Sequence, residues 1–402
     1  MTPLERRASG SLAMIFAARM LGLFLVLPVF ALEAARYPGG DDPARVGMAM
    51  GIYGLTQGIL QFPFGMASDR LGRKRVIILG LLVFAAGSFV AAWAPSLNWL
   101  IAGRSLQGAG AVSAAVTALL ADQTRDVVRT KAMALVGSSI GLMFAVSLVA
   151  APLLAARIGL GGLFGVTGAL ALVCIAVVAW WTPPEPRQHK NLPRGRLSEV
   201  LSHPGLVRLN VGVFVLHAVQ LAMWMAIPAL LVQAGVPKAQ HWQVYLPAVL
   251  ASFVVMGATL FPLERRGYLR AVFLAAVGIV TLVQVGLLLV AGHPGIGALA
   301  VLLFVFFCGF NVLEATQPSM ASRIAPPHAR GAALGVYNTL QSLGLFAGGA
   351  VGGWLTKHVG AQGLFAVCAG LMLLWLVVAW PMKAPQAKRS AEQVLADEAQ
   401  AT

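Results

Sequence analysis

Twelve apolar stretches, each of roughly 17–25 residues, follow one another through this chain with only short polar loops between them. Wound as an α-helix at about 1.5 Å per residue, a stretch of that length crosses the roughly 30 Å hydrocarbon core of a bilayer. The spans are expected near 12–33, 46–67, 76–94, 97–120, 132–156 and 162–181, then 209–232, 242–262, 271–291, 296–320, 332–355 and 362–381. Each is close to the shortest helix that spans, so merging neighbours is no alternative. The expected fold is an all-α membrane protein with twelve transmembrane helices in two six-helix bundles. Residues 1–181 form the first bundle, 182–208 a linker, 209–381 the second bundle and 382–402 a polar tail. The linker is Pro-rich and basic, and the tail is too short to fold as a domain.

Composition agrees with lipid as the solvent. The chain is 58% hydrophobic and 11% charged, with a mean hydropathy of +0.81. A soluble protein of this length has to show far more charge. The net charge of +15 does not indicate a nucleic-acid partner, because the basic residues sit in short runs between apolar stretches rather than on a soluble surface. Cys174, Cys308 and Cys368 lie inside apolar stretches without metal-ligand spacing. Arg6 and Arg7 before the first stretch resemble a signal peptide locally, but eleven more spans follow, so a retained first span is expected.

Lys and Arg set the orientation. Only Arg36, Arg45, Arg157, Lys238 and Lys357 fall on one face, and Arg19 and Arg104 fall inside spans. The other 22 of the 29 lie on the opposite face together with both termini, which are therefore expected in the cytoplasm of a bacterial inner membrane.

The two halves repeat one another. Leu154 to Gly159 and Gly162 to Phe164 match Leu355 to Gly360 and Gly363 to Phe365 at an offset of 201 residues, and Arg129 falls on Arg330. Asp69, Arg70, Gly72 and Arg75 match Glu264, Arg265, Gly267 and Arg270 at an offset of 195. An even number of spans per unit leaves both copies in the same orientation, related by an axis along the membrane normal. Two like bundles then flank a cleft that rocking can open to either side, which points to transport.

Several motifs carry a resemblance. Gly65-Met-Ala-Ser-Asp69-Arg70-Leu-Gly72-Arg73-Lys74-Arg75 resembles the signature between helices two and three of the major facilitator superfamily, and Arg104-Ser-Leu-Gln107-Gly108-Ala-Gly110 resembles its fourth-helix signature. Arg19-Met-Leu-Gly22 through Pro28, Asn311-Val-Leu-Glu314 through Pro318, and Gly335-Val-Tyr337-Asn338 through Gly344 are similar to the drug:proton antiporter type. In detail the chain is most similar to the YajR branch of exporters, and it is expected to lack the extra C-terminal domain that members of that branch can carry. Helix five departs from the antiporter pattern. Gly141 and Pro152 remain as packing positions, but Ala151 and Ala155 stand where small glycines are usual, so this motif does not carry the antiporter assignment by itself.

The resemblance implies a conformational latch at Gly65, Asp69, Arg70, Gly72, Arg73 and Asp122. Asp69 would face the N-terminal end of helix eleven near Ala332 to Gly335, and Arg73 would pair with Asp122. The other reading is positive-inside charge around a tight turn at Gly72.

Arg19 and Arg104 lie about two turns inside spans, where an isolated charge costs about 2.5–3.5 kcal/mol, so each is expected to face a cavity or a partner unless it snorkels or bonds a carbonyl. Gln107 shares the face of Arg104. Glu314 is the one carboxylate well inside the second half, with Asn311 a turn before it; Glu314 can carry a proton or be a structural ion pair. Glu33 and His217 are further proton-coupling candidates, His217 sharing a face with Gln220 and Trp224. Tyr53, Gln57 and Gln61 on helix two, and Tyr337, Asn338 and Gln341 on helix eleven, are expected to line a largely apolar cavity, although amides of this kind also glue helices together.

No Walker motif, haem motif, metal cluster or placed nucleophile and base occurs, so neither a cofactor nor an enzymatic reaction is expected. The expected function is proton-coupled export of small amphipathic or lipophilic molecules by alternating access, by a monomer in the lipid bilayer. Proton symport or facilitated uptake of a metabolite, and a receptor without flux, stay open.

Overall fold

Helix starts follow the local chemistry. In the computed structural model, which describes residues 1–185, 197–326 and 329–382, Thr2 and Glu5 form a reciprocal capping box at the start of α1 (Pro3–Phe24). Asp42 caps α3 (Pro43–Leu71) by accepting from the Ala44 amide, and His203 does the same for α9 (Pro204–Gln233) through Leu206. The remaining helices of the described residues are α2 (Leu27–Ala34), α4 (Arg73–Ala92), α5 (Leu97–Ala109), α6 (Ser113–Asp122), α7 (Asp126–Ala176), α8 (Leu197–Ser202), α10 (Trp242–Arg265), α11 (Leu269–Val290), α12 (Ile296–Ile324) and α13 (Arg330–Ala379). Most of the tail, and residues 186–196 of the linker with Arg187, Lys190 and Arg194, lie outside the described residues. The seventh span starts earlier than the sequence indicates, because Pro204 sits in the first turn of α9.

Eight helical stretches among the described residues are long and apolar enough to cross a bilayer. Two of them, α7 and α13, are far longer than one crossing needs, and each holds one non-helical residue, Gly159 and Gly360. Both helices fold back at that point. Ser139 and Cys174 reach Ala13 and Ile15 of α1 from opposite arms of α7, and Phe144 and Thr167 reach Phe24 and Gly22. In α13, Gly344 packs on Phe214 while Trp375 packs on Gly212. The first span is interrupted between α1 and α2, just ahead of Pro28, and the fourth between α5 and α6 at Gly110 to Val112. A Cβ at Gly110 would stand 2.4 Å from the Gly80 carbonyl oxygen.

Two-fold pseudo-symmetry shows in the backbone. Every described residue with positive φ is a glycine, and the six fall into pairs 195–201 residues apart: Gly39 with Gly235, Gly72 with Gly267, Gly159 with Gly360. A left-handed backbone is costly for any residue with a Cβ. The duplicated loops therefore keep glycine where the surrounding sequence has drifted.

The halves meet along α3 and α13. A Cβ on Gly47 would lie 2.2 Å from the Gly349 oxygen, one on Gly353 2.4 Å from the Pro43 oxygen, and one on Gly54 2.4 Å from the Ser342 oxygen. Such backbone-to-backbone contact is how small residues bind membrane helices together. The glycines of α13 face two ways. Gly344, Gly348 and Gly352 press on Phe214, Ala218 and Ala222 of α9, whereas Gly349 and Gly353 press on α3 of the other half. Two ion pairs bridge the same end, Lys357 to Asp42 at 2.9 Å and Lys238 to Glu33 at 3.5 Å. At the other end, which carries the arginine-rich loops, Gly65 reaches only Ala114 of its own half, and Gly331 and Gly335 have nothing within 4 Å of a would-be Cβ. The seam is tight at one end and loosens towards the other.

Candidate functional site

In the first half a polar cluster forms where α1, α3, α5 and α6 converge. Arg19 donates to the Ser113 hydroxyl and, at 2.7 Å, to the Tyr53 hydroxyl. Arg104 donates to Gln107 Oε1 at 2.9 Å and to the Met50 carbonyl at 3.2 Å, and Gln107 passes the network on to Ser88 at 2.8 Å. Aromatic faces complete the enclosure: Arg104 lies 4.9 Å from the Tyr53 ring centre and 5.9 Å from those of Phe30 and Phe164, and Arg19 lies 5.8 Å from that of Phe84. Both arginines are buried, at 2% and 4% exposure, and the Nε of each has no acceptor. Gln61 is buried further along α3 with its Oε1 unpartnered, and Gln57 is half-buried.

The second half brings His217, Glu314 and Gln341 together from α9, α12 and α13. His217 Nδ1 lies 2.9 Å from the Val213 carbonyl, which can only accept, so Nδ1 carries a hydrogen. Nε2 then faces Glu314 Oε1 at 3.1 Å and Gln341 Nε2 at 2.7 Å. With its hydrogen on Nδ1, the imidazole presents a lone pair at Nε2, which accepts from the Gln341 amide. A hydrogen bond to Glu314 then needs the proton on the carboxyl, and Glu314 Oε1 is without a hydrogen-bond partner. Asn311 donates to Ser252 at 2.8 Å and ties α12 to α10, while Asn338 is half-buried, its carbonyl accepting from Ser342. Trp224 packs edge-on against Tyr245, 5.3 Å between centres, and with Gln220 and Tyr337 it is buried inside the half.

An aromatic row runs from α1 across the seam to the second cluster. Phe24 meets Phe144 at 5.0 Å, Phe144 meets Phe307 across the seam at 5.9 Å, and Phe306 and Phe310 carry the row to His217. Periodicity did not reveal this row, since its members sit on three helices of two halves.

At the arginine-rich end, Gly72 turns the chain with φ of 100° and Arg73 reaches Asp122 at 3.1 Å. Both belong to the first half. Arg70 is exposed, and the Asp69 side chain lies outside the described residues. A residue that the motif reading passed over completes this corner: Glu185 accepts from the Arg73 and Lys74 amides at the start of α4, where free amides favour an anion. At the tight end, Glu33 lies between Arg36 at 3.0 Å and Lys238 at 3.5 Å, beside a cavity of about 250 Å³ that Pro152 and His241 also line. Gly141 faces Phe253 of α10 at 3.6 Å.

The Major Facilitator Superfamily profile matches residues 12–349 and 263–399. The chain belongs to this superfamily. The inner membrane transport protein YajR of Escherichia coli (strain K12) is 41% identical over 96% of this chain and 85% of its own length. The multidrug resistance protein MdtH of Aeromonas salmonicida is 27% identical over 86% of both. Among solved structures, the human organic anion transporter MFSD10 superposes with a TM-score of 0.69 over 94% of this chain and 100% of its own, and at 19% identity this reports the fold alone. The superfamily member described here is accordingly a multi-pass transport protein of the bacterial inner membrane and not an enzyme.

Proposed function

We propose that this protein is a proton-coupled antiporter that exports small amphipathic molecules by alternating access between two six-helix bundles, twelve spans in all, with both termini in the cytoplasm. Counting α7 and α13 as two spans each, α1 with α2 and α5 with α6 as one, and leaving out the six-residue α8 brings the helices to that number. The observation that carries the coupling is the approach of His217 Nε2 to Glu314 Oε1 at 3.1 Å. Nε2 already accepts from Gln341, so a proton bridging this contact sits on the Glu314 carboxyl, and without it two lone pairs face each other. Gln341 precedes Ser342, the residue of α13 that lies against Gly54 of α3. Protonation is thereby linked to the helix that forms the seam, and a ligand or proton biases the two states only through such a difference in contacts. With the arginine-rich loops in the cytoplasm, the cleft described here opens inward.

The name of the relative MdtH supports a drug-like cargo. Purified protein in vesicles with an imposed pH difference should accumulate substrate against its gradient, and Glu314→Gln, which keeps the shape and fixes the charge at zero, should bind substrate but lose the pH-driven part. Undiminished pH-driven accumulation by that variant would remove Glu314 from the mechanism.

A further inference from the structure

Among the described residues, the first half holds two guanidinium groups away from water with no carboxylate paired to either. The ion-paired carboxylates lie elsewhere: Glu5 on Arg125, Glu33 on Arg36 and Lys238, Asp42 on Lys357, Asp122 on Arg73, Glu264 on Arg323 and Glu314 on His217. Arg19 and Arg104 instead flank one phenol, Arg19 bonded to the Tyr53 hydroxyl and Arg104 against its ring. Two like charges drawn out of water beside each other repel, and each is costly to bury unpaired. A purely structural polar contact between helices could be made by neutral amides.

Unused hydrogen-bonding capacity points the same way. Both Nε groups are buried donors without acceptors. The Ser113 and Tyr53 hydroxyls accept from Arg19, which leaves their own hydrogens to donate. A group of acceptors carrying negative charge answers all four, and a cation answers none. Phe24, the first ring of the aromatic row, stands about one and a half turns along α1 from Arg19 and packs edge-on against Phe144.

We infer that the cargo is an organic anion, its charged end taken by Arg19 and Arg104. This rests on the transport reading above and adds to it the class of substrate.

The test uses the full-length protein in nanodiscs and three probes that share a ring and differ in charge: 1-naphthoate, 1-naphthylmethanol and 1-naphthylmethylammonium. Calorimetric titration should show naphthoate bound at least about tenfold more tightly than either of the others, and Arg19→Gln and Arg104→Gln should each lose at least about tenfold for naphthoate alone. Equal binding of all three, preference for the ammonium, or no binding of naphthoate overturns the inference. The three-probe comparison is made on the unaltered protein, so a variant that fails to fold does not decide it. Vesicle flux separates this inference from the transport reading. Naphthoate bound at the arginines but never moved would keep the anion site and remove transport; pH-driven flux of the ammonium with naphthoate inert would do the reverse.

Discussion

The buried polar clusters of the two halves are related in position and opposite in chemistry. Arg19 and His217 stand 198 residues apart, inside the 195–201 window that relates the paired glycines. The first is a guanidinium bonded to two hydroxyls; the second is an imidazole with a carboxylate 3.1 Å away. Duplication has thus left one location with a guanidinium in one copy and an imidazole beside a carboxylate in the other. On the proposed reading, a symmetric fold gives the two sides of one cleft different duties.

Several experiments sharpen or break that contrast. The largest effect is expected at the seam. Gly349→Leu places a side chain where even a Cβ would stand 2.7 Å from Gly47 and Gly51 backbone atoms, so the tight end should no longer close. Labelling of a cysteine engineered near Asp42 should then rise from slight to nearly complete. Gly348→Leu, one position away, collides with Ala218 within the second half and should instead lower the thermal stability of the protein, by about 1–3 kcal/mol or more as overpacking does. If both variants behaved alike, the division of the glycines between seam and core would be wrong.

Next in size is His217→Gln, which removes the imidazole and leaves Glu314 without its nitrogen neighbour. Transport measured between pH 5 and 8 should lose most of its pH dependence, whereas Arg104→Lys should lower transport at every pH without changing the shape of the profile. A preserved pH profile in His217→Gln would undo the contrast between the halves. The smallest effect belongs to Lys357→Gln. The Lys357 ammonium holds the Asp42 carboxyl below the usual carboxylate range. The pair therefore strengthens closure at neutral pH and gives up that contribution as acid protonates Asp42 through its lowered value. The variant should label slightly faster near Asp42 at pH 7 and be indistinguishable from the parent in strong acid. Exposed pairs of this kind are weak.

Much of the fold is legible because the bilayer imposes one-dimensional rules. Span length and basic loops are properties of consecutive residues, and so are neighbours on one helix such as Arg104 and Gln107, which hydrogen-bond as their spacing requires. The repeat was readable too, and it reappears as matched left-handed glycines. Pairing across helices was harder to read. His217 and Glu314 were each visible as polar residues in apolar surroundings, but 97 residues separate them and nothing in their local sequence states that they meet. Glu185 gave no signal beyond its place after Pro183 and Pro184, since its role comes from amides of a distant helix start.

By itself the sequence determined that the chain is built of apolar helices, which loops are basic and that one unit occurs twice, because hydropathy, charge and repetition act along the chain. The rotation of each helix about its axis was decided only in three dimensions. That rotation sorts the α13 glycines between the seam and the core, turns Arg19 onto Tyr53 and brings His217 to Glu314, because helices buried in apolar surroundings have no solvent-facing side to orient them and settle by backbone fit and by the few polar groups that must find partners.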